Sequence, residues 1–276
     1  MSDSMWNGGD LDLGAYLARI GLTGSVRADA ATLRAVHRAH VAAFPFENLE
    51  IVLGRPVPLE IKALQDKMVA RQRGGYCFEQ NLLLAAVLER IGFGVTGIGA
   101  RVRMGSDVVR AVTHMALKVS AAGEDWLCDV GFGGEGLLEP LPFRDGVRER
   151  QGEWTFALER AEPDVRVVRT LHADGWFDLY AFGPEERIPA DYRVMNHYIS
   201  THPRSPFVSR LVVQRTEPGL RRTLVGSVLE TARPDGSVRQ REVRAEELAE
   251  VLSWEFGIEL DDEDAETLAR VYSSGS

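Results

Sequence analysis

Cysteine is scarce in this sequence: its 276 residues include only Cys77 and Cys128. Two cysteines form at most one disulfide, too few to staple a small secreted scaffold, so we expect a reducing compartment and a cytoplasmic protein. The N-terminal residues lack a positively charged segment followed by an apolar one, and no later apolar run reaches membrane-spanning length. The sequence therefore indicates neither a secreted nor a membrane protein.

Basic residues are outnumbered by acidic ones: 32 Lys and Arg residues stand against 41 Asp and Glu residues, and the net charge is −9. Nucleic acids and anionic membranes require a basic surface, so neither is expected as a partner, although a local basic pocket is compatible with this balance. The acidic run from Asp261 to Asp264 lacks the ligand spacing, turn glycine and terminal glutamate of an EF-hand loop. We expect it to begin a helix and to face solvent.

The remaining composition is that of a folded protein, with 45% hydrophobic and 26% charged residues. The length suggests about two domains, with one or three as alternatives. Periodicity predicts helices over 13–20, 29–44, 61–69, 77–91, 191–199, 246–256 and 264–272. Strands are predicted over 95–104, 113–119, 126–132, 154–158, 165–171, 176–182, 207–214, 223–229 and 238–243. The middle of the chain should therefore form a β-barrel or a sandwich.

The segment from Arg71 to Asn81 contains the first candidate for chemistry. A charged, glycine-containing turn leads directly into an apolar segment of helical period, so Cys77 should lie in the first turn of a helix. Unpaired N–H groups and the helix dipole favour an anion there, and with a basic neighbour they can bring the thiol pKa well below neutrality. Cys77 is therefore the candidate nucleophile, and the alternative is a small core residue.

A thiolate nucleophile needs a base and a third group that orients the base. His114 lies in an apolar predicted strand, where a polar side chain requires a partner. Asp129 closes the segment Trp126-Leu-Cys-Asp129 of the next predicted strand, just before a glycine run. Antiparallel pairing would bring it to one imidazole nitrogen while the other faces Cys77. Spacing alone leaves two interpretations open: a catalytic pair, or a buried pair that holds two strands together. Cys128 should point away from the face of Asp129 and should not be acylated.

The other histidines do not indicate a metal site. His37 and His40 are one helical turn apart, and His197 and His202 flank a predicted helix end, but no further ligands accompany either pair. His172 is expected in a surface turn. We therefore expect capping and packing roles for these side chains, and no metal.

The residues from Gly131 to Gly136 match the pattern G-x-G-x-x-G. A dinucleotide site is not expected, because Pro140 and Pro142 follow where a phosphate-binding helix would have to begin and no βαβ unit is predicted. A glycine-rich loop can instead allow close backbone approach and leave N–H groups free for a phosphate or acyl oxygen. It would place Phe132 beside the candidate triad.

Four segments together resemble the arylamine N-acetyltransferase family in order and spacing: Pro45-Phe-Glu-Asn-Leu49, Arg73-Gly-Gly-Tyr-Cys77-Phe-Glu-Gln-Asn81, Thr113-His114 and Asp129-Val-Gly-Phe-Gly133. The similarity extends over about the whole chain. It implies an α+β fold with a helical bundle over 1–93, a β-barrel with a linking helix over 94–203, and an α/β lid over 204–276. The first two parts would form a core like that of cysteine proteases and transglutaminases.

The resemblance also implies roles for individual residues. The catalytic triad would be Cys77, His114 and Asp129. Aromatic walls of an acceptor pocket would be Phe46, Phe132 and Phe207, and contacts to acetyl-CoA would involve Gly131, Gly133, Gly134, Thr201 and Ser205. The implied activity is ping-pong transfer of an acetyl group from acetyl-CoA to arylamines, arylhydrazines or N-hydroxyarylamines, as in xenobiotic metabolism. The protein would act without a metal, as a monomer or homodimer.

Three alternative functions stay open at this level. Some members of the same family are amide synthases that release a polyketide chain from a carrier protein as a macrolactam. A cysteine hydrolase or transglutaminase-like enzyme would use the same triad with water or lysine as acceptor. A non-enzymatic binding module would not depend on Cys77. No motif indicates the preferred amine or the adenine site of CoA.

Overall fold

The computed structural model describes residues 4–274 and combines helices with two antiparallel sheets. The helices are α1 (Leu13–Arg19), α2 (Ala30–Ala43), α3 (Leu49–Val52), α4 (Ile61–Leu64), α5 (Cys77–Ile91), α6 (Pro189–Thr201), α7 (Pro206–Ser209), α8 (Leu248–Phe256) and α9 (Asp262–Ser274). A π-helical turn over Gln65–Ala70 extends α4. None of the helices in the described part of the chain combines the length and apolar character needed to cross a bilayer.

The strands follow the helical N-terminal region, apart from the short β1. They are β1 (Phe46–Glu47), β2 (Gly94–Val102), β3 (His114–Ala121), β4 (Glu124–Cys128), β5 (Leu141–Pro142), β6 (Val147–Gln151), β7 (Trp154–Glu162), β8 (Val165–His172), β9 (Gly175–Arg187), β10 (Val212–Glu217), β11 (Leu220–Val225), β12 (Val228–Ala232) and β13 (Val238–Glu242). The predicted α+β class is confirmed.

Helix α5 is the centre of the N-terminal helices. Every residue from Cys77 to Leu88 is buried, and the residues from Leu82 to Leu88 are all apolar, as expected for a core helix. It ends where the sequence predicts, because Gly92 adopts the left-handed conformation, with φ 107°, that a C-terminal cap requires. The first residue of the helix is therefore held in a packed core.

Eight strands form a nearly closed barrel in the order β5-β4-β3-β2-β9-β8-β7-β6. Gln151, at the end of β6, joins the two edges. Its Oε1 accepts from the N–H groups of Leu138 (2.8 Å) and Glu139 (2.9 Å), and its Nε2 donates to the Glu139 carbonyl (2.8 Å). Backbone groups at the edge are thus satisfied by one buried amide. The barrel, one of the two predicted architectures, is confirmed.

The second sheet has the order β1-β10-β11-β12-β13 and joins the N-terminal helical region to the C-terminal part of the chain. Its edge strand β1 comes from the N-terminal region, with Phe46 opposite Gln214. The Asn48 side chain strengthens this junction, because its amide donates to the carbonyls of Phe207 and Arg210 (both 2.8 Å) and its oxygen accepts from the Val212 N–H (2.7 Å). The proposed division at residues 93 and 203 stays a prediction.

Two predicted strands near the C-terminus are wrong. The strand expected over 207–214 begins instead as helix α7, since Ser205 caps the Phe207 N–H (3.3 Å) and Pro206 occupies the first turn. The strand expected over 223–229 is two strands, β11 and β12, separated by a turn in which Gly226 has φ 57°. The sequence did not predict strands β1, β5 and β6, because they are too short or too polar to show the alternation typical of a strand.

A buried cluster of charges holds the loop that precedes α5. Lys67 Nζ lies 2.8 Å from Glu79 Oε1 and 3.4 Å from Glu47 Oε1, and Arg73 Nη2 lies 3.2 Å from the same Glu47 oxygen. Burial by itself lowers the pKa of Lys67, but the two carboxylates outweigh it and raise that pKa. Since Glu79 Oε2 also accepts from the Tyr76 N–H (3.0 Å), the cluster fixes the start of the helix.

The acidic run at the C-terminus contributes to the same cluster. It begins α9 as predicted, but the expectation that it faces solvent is wrong for Asp264, which is buried. Asp264 accepts from Arg55 Nη1 (2.9 Å) and lies 3.9 Å from Arg73 Nη1. The last helix is thereby tied to the loop before Cys77.

His37 attaches helix α2 to the barrel. Its Nδ1 lies 3.2 Å from the Leu138 carbonyl, and its Nε2 accepts from the Asp129 N–H (3.2 Å). Both bonds require the neutral ring protonated on Nδ1. Burial lowers the pKa of His37 to about 4, and it lowers the pKa of the neighbouring His40 to about 3.

The first prediction concerns the buried ion pairs. We expect Lys67→Met to lower the free energy of unfolding by about 3–5 kcal/mol, because Glu47 and Glu79 lose their shared cation in a dry site. Lys62 is the matched control: its Nζ lies 3.6 Å from Asp10 Oδ1 and both side chains are exposed. Lys62→Met should stay within about 1 kcal/mol of wild type. Urea unfolding of the three proteins measures the difference, and equal effects of the two variants would contradict the assignment.

The second prediction concerns acid stability. The pKa of His37 is about 4 in the folded chain against an ordinary 6.5, so between these values the unfolded chain binds a proton that the folded chain excludes. Stability therefore falls as pH falls through this window, by about 2 kcal/mol between pH 7 and pH 5 from this residue. His37→Gln should show a shallower loss of unfolding free energy than wild type, whereas the exposed-residue control His197→Gln should keep the wild-type slope. An unchanged slope in His37→Gln would rule out the neutral buried imidazole.

Candidate active site

Cys77 is the first residue of helix α5, as the sequence predicts, and is almost fully buried. Its Sγ lies 3.9 Å from the Thr113 carbonyl, directly before His114. The backbone of Gly131 packs against it, since a Cβ at that position would stand 2.7 Å from Cys77 Cα. Only glycine permits this approach, which brings the glycine loop to the thiol.

His114 and Asp129 are paired as expected. His114 opens β3, Asp129 follows β4, and His114 Nε2 lies 2.7 Å from Asp129 Oδ2 with both side chains buried. The second carboxylate oxygen accepts from Asn81 Nδ2 and from the Gly131 N–H, each at 3.0 Å. Burial by itself raises the pKa of Asp129, but His114 and these donors outweigh it and lower that pKa. The carboxylate stays ionised and fixes the ring orientation.

The expectation for the thiol pKa is wrong. Burial raises the pKa of Cys77, and the negative charge of Asp129 raises it further, while backbone N–H groups of Met115 and Phe78 oppose this only in part. The helix N-terminus therefore does not suffice to make a thiolate. A thiolate at this buried position would need a nearby positive charge to offset its loss of hydration.

Two residues at this site carry no role in the sequence-based prediction. Asn81 follows Cys77 by one helical turn and also donates to the Met115 carbonyl (2.8 Å), so it ties the helix to both strands. Tyr180 of β9 places its ring 4.9 Å from the His114 ring. The spacing of four residues on α5 was the available signal for Asn81. Tyr180 comes from a strand distant in sequence, and no motif marks it.

Cys77 and His114 line a cavity of about 670 Å³. All three predicted aromatic walls reach it, and Phe132 stands edge-on to His114 with ring centroids 5.1 Å apart. Among the predicted CoA contacts, Gly131, Gly134 and Ser205 also line it. The other lining residues are Val102, Met104, Arg110, Ala111, Thr113, Glu135, Tyr198, Ile199, Arg204, Pro206, Arg210, Val212, Gln214 and Val225.

Two predicted CoA contacts, Gly133 and Thr201, lie away from this cavity. Gly133 has φ 92° and faces strand β10, where an added Cβ would meet Gln214 Oε1 at 2.0 Å. Thr201 Oγ1 donates to the His197 carbonyl (2.5 Å) within its own helix. Ser205 lines the cavity, but its hydroxyl donates to the Ile199 carbonyl (2.5 Å). These three have structural uses, and a role in binding CoA stays a prediction for each.

The glycine loop is held in place by the C-terminal sheet. Gln214 Oε1 accepts from the Gly134 N–H (3.0 Å), and Thr216 Oγ1 donates to the Gly134 carbonyl (2.9 Å). Glu135 pairs with Arg221 Nη1 at 2.6 Å and with His172 Nε2 at 3.2 Å. His172, expected in a surface turn, thus closes β8 and contacts the loop. Within residues 4–274, no cluster of three His, Cys, Asp or Glu side chains is arranged to hold a metal ion.

Comparison with known proteins agrees with this geometry. A model of the N-acetyltransferase family matches residues 29–265. The arylamine N-acetyltransferase of Mycolicibacterium smegmatis is 39% identical over 258 residues, covering 91% of this chain and 94% of that protein. The crystal structure of the Nocardia farcinica arylamine N-acetyltransferase is 46% identical, with a TM-score of 0.91 over 96% of each chain. The Mycobacterium marinum arylamine N-acetyltransferase, solved in complex with CoA, is 32% identical, with a TM-score of 0.89 over 95% of this chain and 99% of that one. This chain therefore belongs to the arylamine N-acetyltransferase family.

Proposed function

We propose that this protein transfers an acetyl group from acetyl-CoA to aromatic amines through a thioester on Cys77. The observation that carries the proposal is one cavity that joins a buried thiol, an imidazole oriented by a carboxylate, and three phenylalanine walls. Family membership supports the same chemistry, and the M. marinum relative binds CoA. In this proposal Cys77 is the nucleophile, His114 the base and Asp129 the residue that orients the base.

In the first half-reaction, His114 accepts the thiol proton and Cys77 Sγ attacks the carbonyl carbon of acetyl-CoA. The new bond joins Sγ to the acetyl carbon, the bond from that carbon to the CoA sulfur breaks, and His114 returns the proton to the departing CoA thiolate. Asp129 stabilises the imidazolium that exists between these proton transfers. Exchange of one thioester for another is nearly balanced, so catalysis rests mainly on positioning and on donors for the developing oxyanion.

In the second half-reaction, the amine nitrogen attacks the acetyl carbon on Cys77. The carbon–sulfur bond breaks, an amide forms, and His114 takes the amine proton and returns it to the Cys77 sulfur. Phe46 and Phe207, whose ring centroids are 5.7 Å apart, form one wall and Phe132 another. Such walls suit flat aromatic acceptors, including arylhydrazines and N-hydroxyarylamines.

The third prediction tests the nucleophile. With acetyl-CoA and an anisidine varied together, wild type should give the parallel double-reciprocal lines of a ping-pong reaction. Cys77→Ala should lose at least about 10³-fold in kcat/KM, because the covalent route is gone. Cys128→Ala is the matched control, since Cys128 is buried in β4 and does not line the cavity, and it should retain activity. Intersecting lines, or near wild-type activity in Cys77→Ala, would refute the thioester route.

The fourth prediction tests the orienting carboxylate. Asp129→Asn should lower kcat/KM by about 10³-fold or more, because an amide no longer stabilises the imidazolium or fixes its tautomer. Asp125→Asn, at an exposed position on the adjoining strand, is the control and should behave as wild type. Circular dichroism confirms that both variants are folded. Equal activity of folded Asp129→Asn and Asp125→Asn would assign the His114–Asp129 pair a purely structural role.

A further inference from the structure

We infer that a second cavity, outside the active site, binds a small carboxylic acid with an aliphatic body. This cavity, called here the β2–β9 cavity, has a volume of about 330 Å³ and is lined mainly by residues of β2, of β9 and of the connection 103–113 between β2 and β3. Of its lining residues in the described part of the chain, Val102 and Arg110 also line the cavity that contains Cys77. The inferred site is separate from the thiol, so it does not depend on the proposed acetyl transfer.

An irregularity in the barrel shapes the β2–β9 cavity. The pairing of β2 with β9 shifts its register between Ile98 and Ala100. Gly99 lies at this shift, and an added Cβ there would stand 2.9 Å from Val112 Cγ1 and 3.1 Å from Arg187 Cγ. A glycine inside a strand often marks a bulge or a place where other groups approach the backbone closely. Here it allows the β2–β3 connection and the Arg187 side chain to lie against the same strand, where they form two walls of the cavity.

Arg187 gives this cavity a cation that no carboxylate of the protein pairs with. Its side chain is half-buried, it forms no ion pair within residues 4–274, and its Nε is a buried donor without a hydrogen-bond partner. A buried donor that lacks an acceptor is unfavourable. A guanidinium group binds a carboxylate through two parallel N–H···O bonds, and the edge formed by Nε and one Nη is suited to this. Arg187 is therefore the expected anchor of a ligand carboxylate.

The acidic side chains around the cavity select for a ligand with one negative charge. Asp107, Glu162 and Glu185 line the cavity, but all three are exposed and none forms an ion pair in the part of the chain that the structure describes. Exposed carboxylates keep their hydration and gain little from pairing, so they leave Arg187 available. They also repel a ligand with several negative charges. A single carboxylate is thus favoured over a phosphate.

Valine side chains make the remaining walls aliphatic. Val108 and Val109 lie side by side on the β2–β3 connection and are 68% and 85% exposed, and Val112 and Val165 also line the cavity. A ligand with an aliphatic body would cover part of this apolar surface, and its removal from water favours binding. A volume of about 330 Å³ lies at the lower end of the range for small-molecule sites. The walls and the volume together favour a short aliphatic acid.

NMR of the full chain with labelled valine methyl groups tests the inference, with octanoate as the probe. Octanoate should shift the signals of Val112 and Val165 in a saturable titration, whereas those of Val212 and Val225, which line the cavity of Cys77, should not move. Octanamide, the neutral counterpart, should bind at least about tenfold more weakly, because it lacks the charge-assisted pair with Arg187. Hexanoate, which is shorter by two methylene groups, should also bind about tenfold more weakly.

Substitutions of Arg187 test the anchor separately. Arg187→Gln should weaken octanoate binding about tenfold or more and remove the preference for octanoate over octanamide. Arg187→Lys keeps the charge but not the two parallel donors, so its affinity should fall between those of wild type and Arg187→Gln. Arg239→Gln is the matched control, because Arg239 is exposed on β13 and does not line the cavity. It should bind octanoate as wild type does, and the valine spectrum of each variant shows whether it is folded.

Several results would overturn the inference. Shifts at Val212 and Val225 in place of Val112 and Val165 would put the acid in the active-site cavity. Equal affinities for octanoate and octanamide in wild type would exclude recognition of a carboxylate, and this comparison holds even if Arg187→Gln does not fold. Shifts that grow without saturation would indicate nonspecific association with the exposed valines. Displacement of octanoate by inorganic phosphate would assign the cavity to a different class of anion.

Discussion

The hydrogen bond between His114 Nε2 and Asp129 Oδ2, 2.7 Å long and shielded from solvent, is the contact around which the other parts of this protein are arranged. An ionised carboxylate in a dry core is unfavourable unless its oxygens are hydrogen-bonded. Asp129 meets that requirement with donors from three places: the imidazole of β3, the Asn81 amide of α5 and the Gly131 N–H of the glycine loop. A fourth element, α2, holds the Asp129 backbone through His37. Helix α5, the barrel and the glycine loop thus meet at one anion.

The surroundings of the Cys77 thiol favour its protonated form. Burial and the Asp129 charge both raise the pKa of Cys77, and in the proposed mechanism the thiolate forms only as His114 takes the proton. The buried cluster around Lys67 complements this arrangement, because it fixes the loop that leads into Cys77 without placing an unpaired charge at the thiol. The charges that hold the loop before Cys77 are therefore separate from those of the His114–Asp129 pair.

The sequence predicted best what depends on near neighbours in the chain. Helix α5, from Cys77 to its Gly92 cap, followed from a local turn and an apolar period, and the pairing of His114 with Asp129 followed from one hairpin. Features that depend on contacts between residues far apart in the chain could not be predicted from the sequence. Asp264 is buried because Arg55 and Arg73, nearly 200 residues earlier, provide its partners, so a local pattern of acidic residues gave the wrong environment.

The same limit applies to the candidate site. Thr201 and Gly133 were assigned to CoA by resemblance, but the first bonds its own helix and the second packs on β10. The thiol pKa was misjudged for a related reason: a helix N-terminus is visible in sequence, whereas full burial beside a carboxylate is a property of the assembled fold. Tyr180, which packs on the imidazole from strand β9, gave no sequence signal at all.

Intact-protein mass after brief mixing with acetyl-CoA, in the absence of an amine, tests acyl transfer through Cys77. We expect wild type to gain the mass of one acetyl group, peptide mapping to place it on Cys77, and an added anisidine to remove it. A folded protein that gains no acetyl group, or gains it on another residue, would contradict acyl transfer through this thiol.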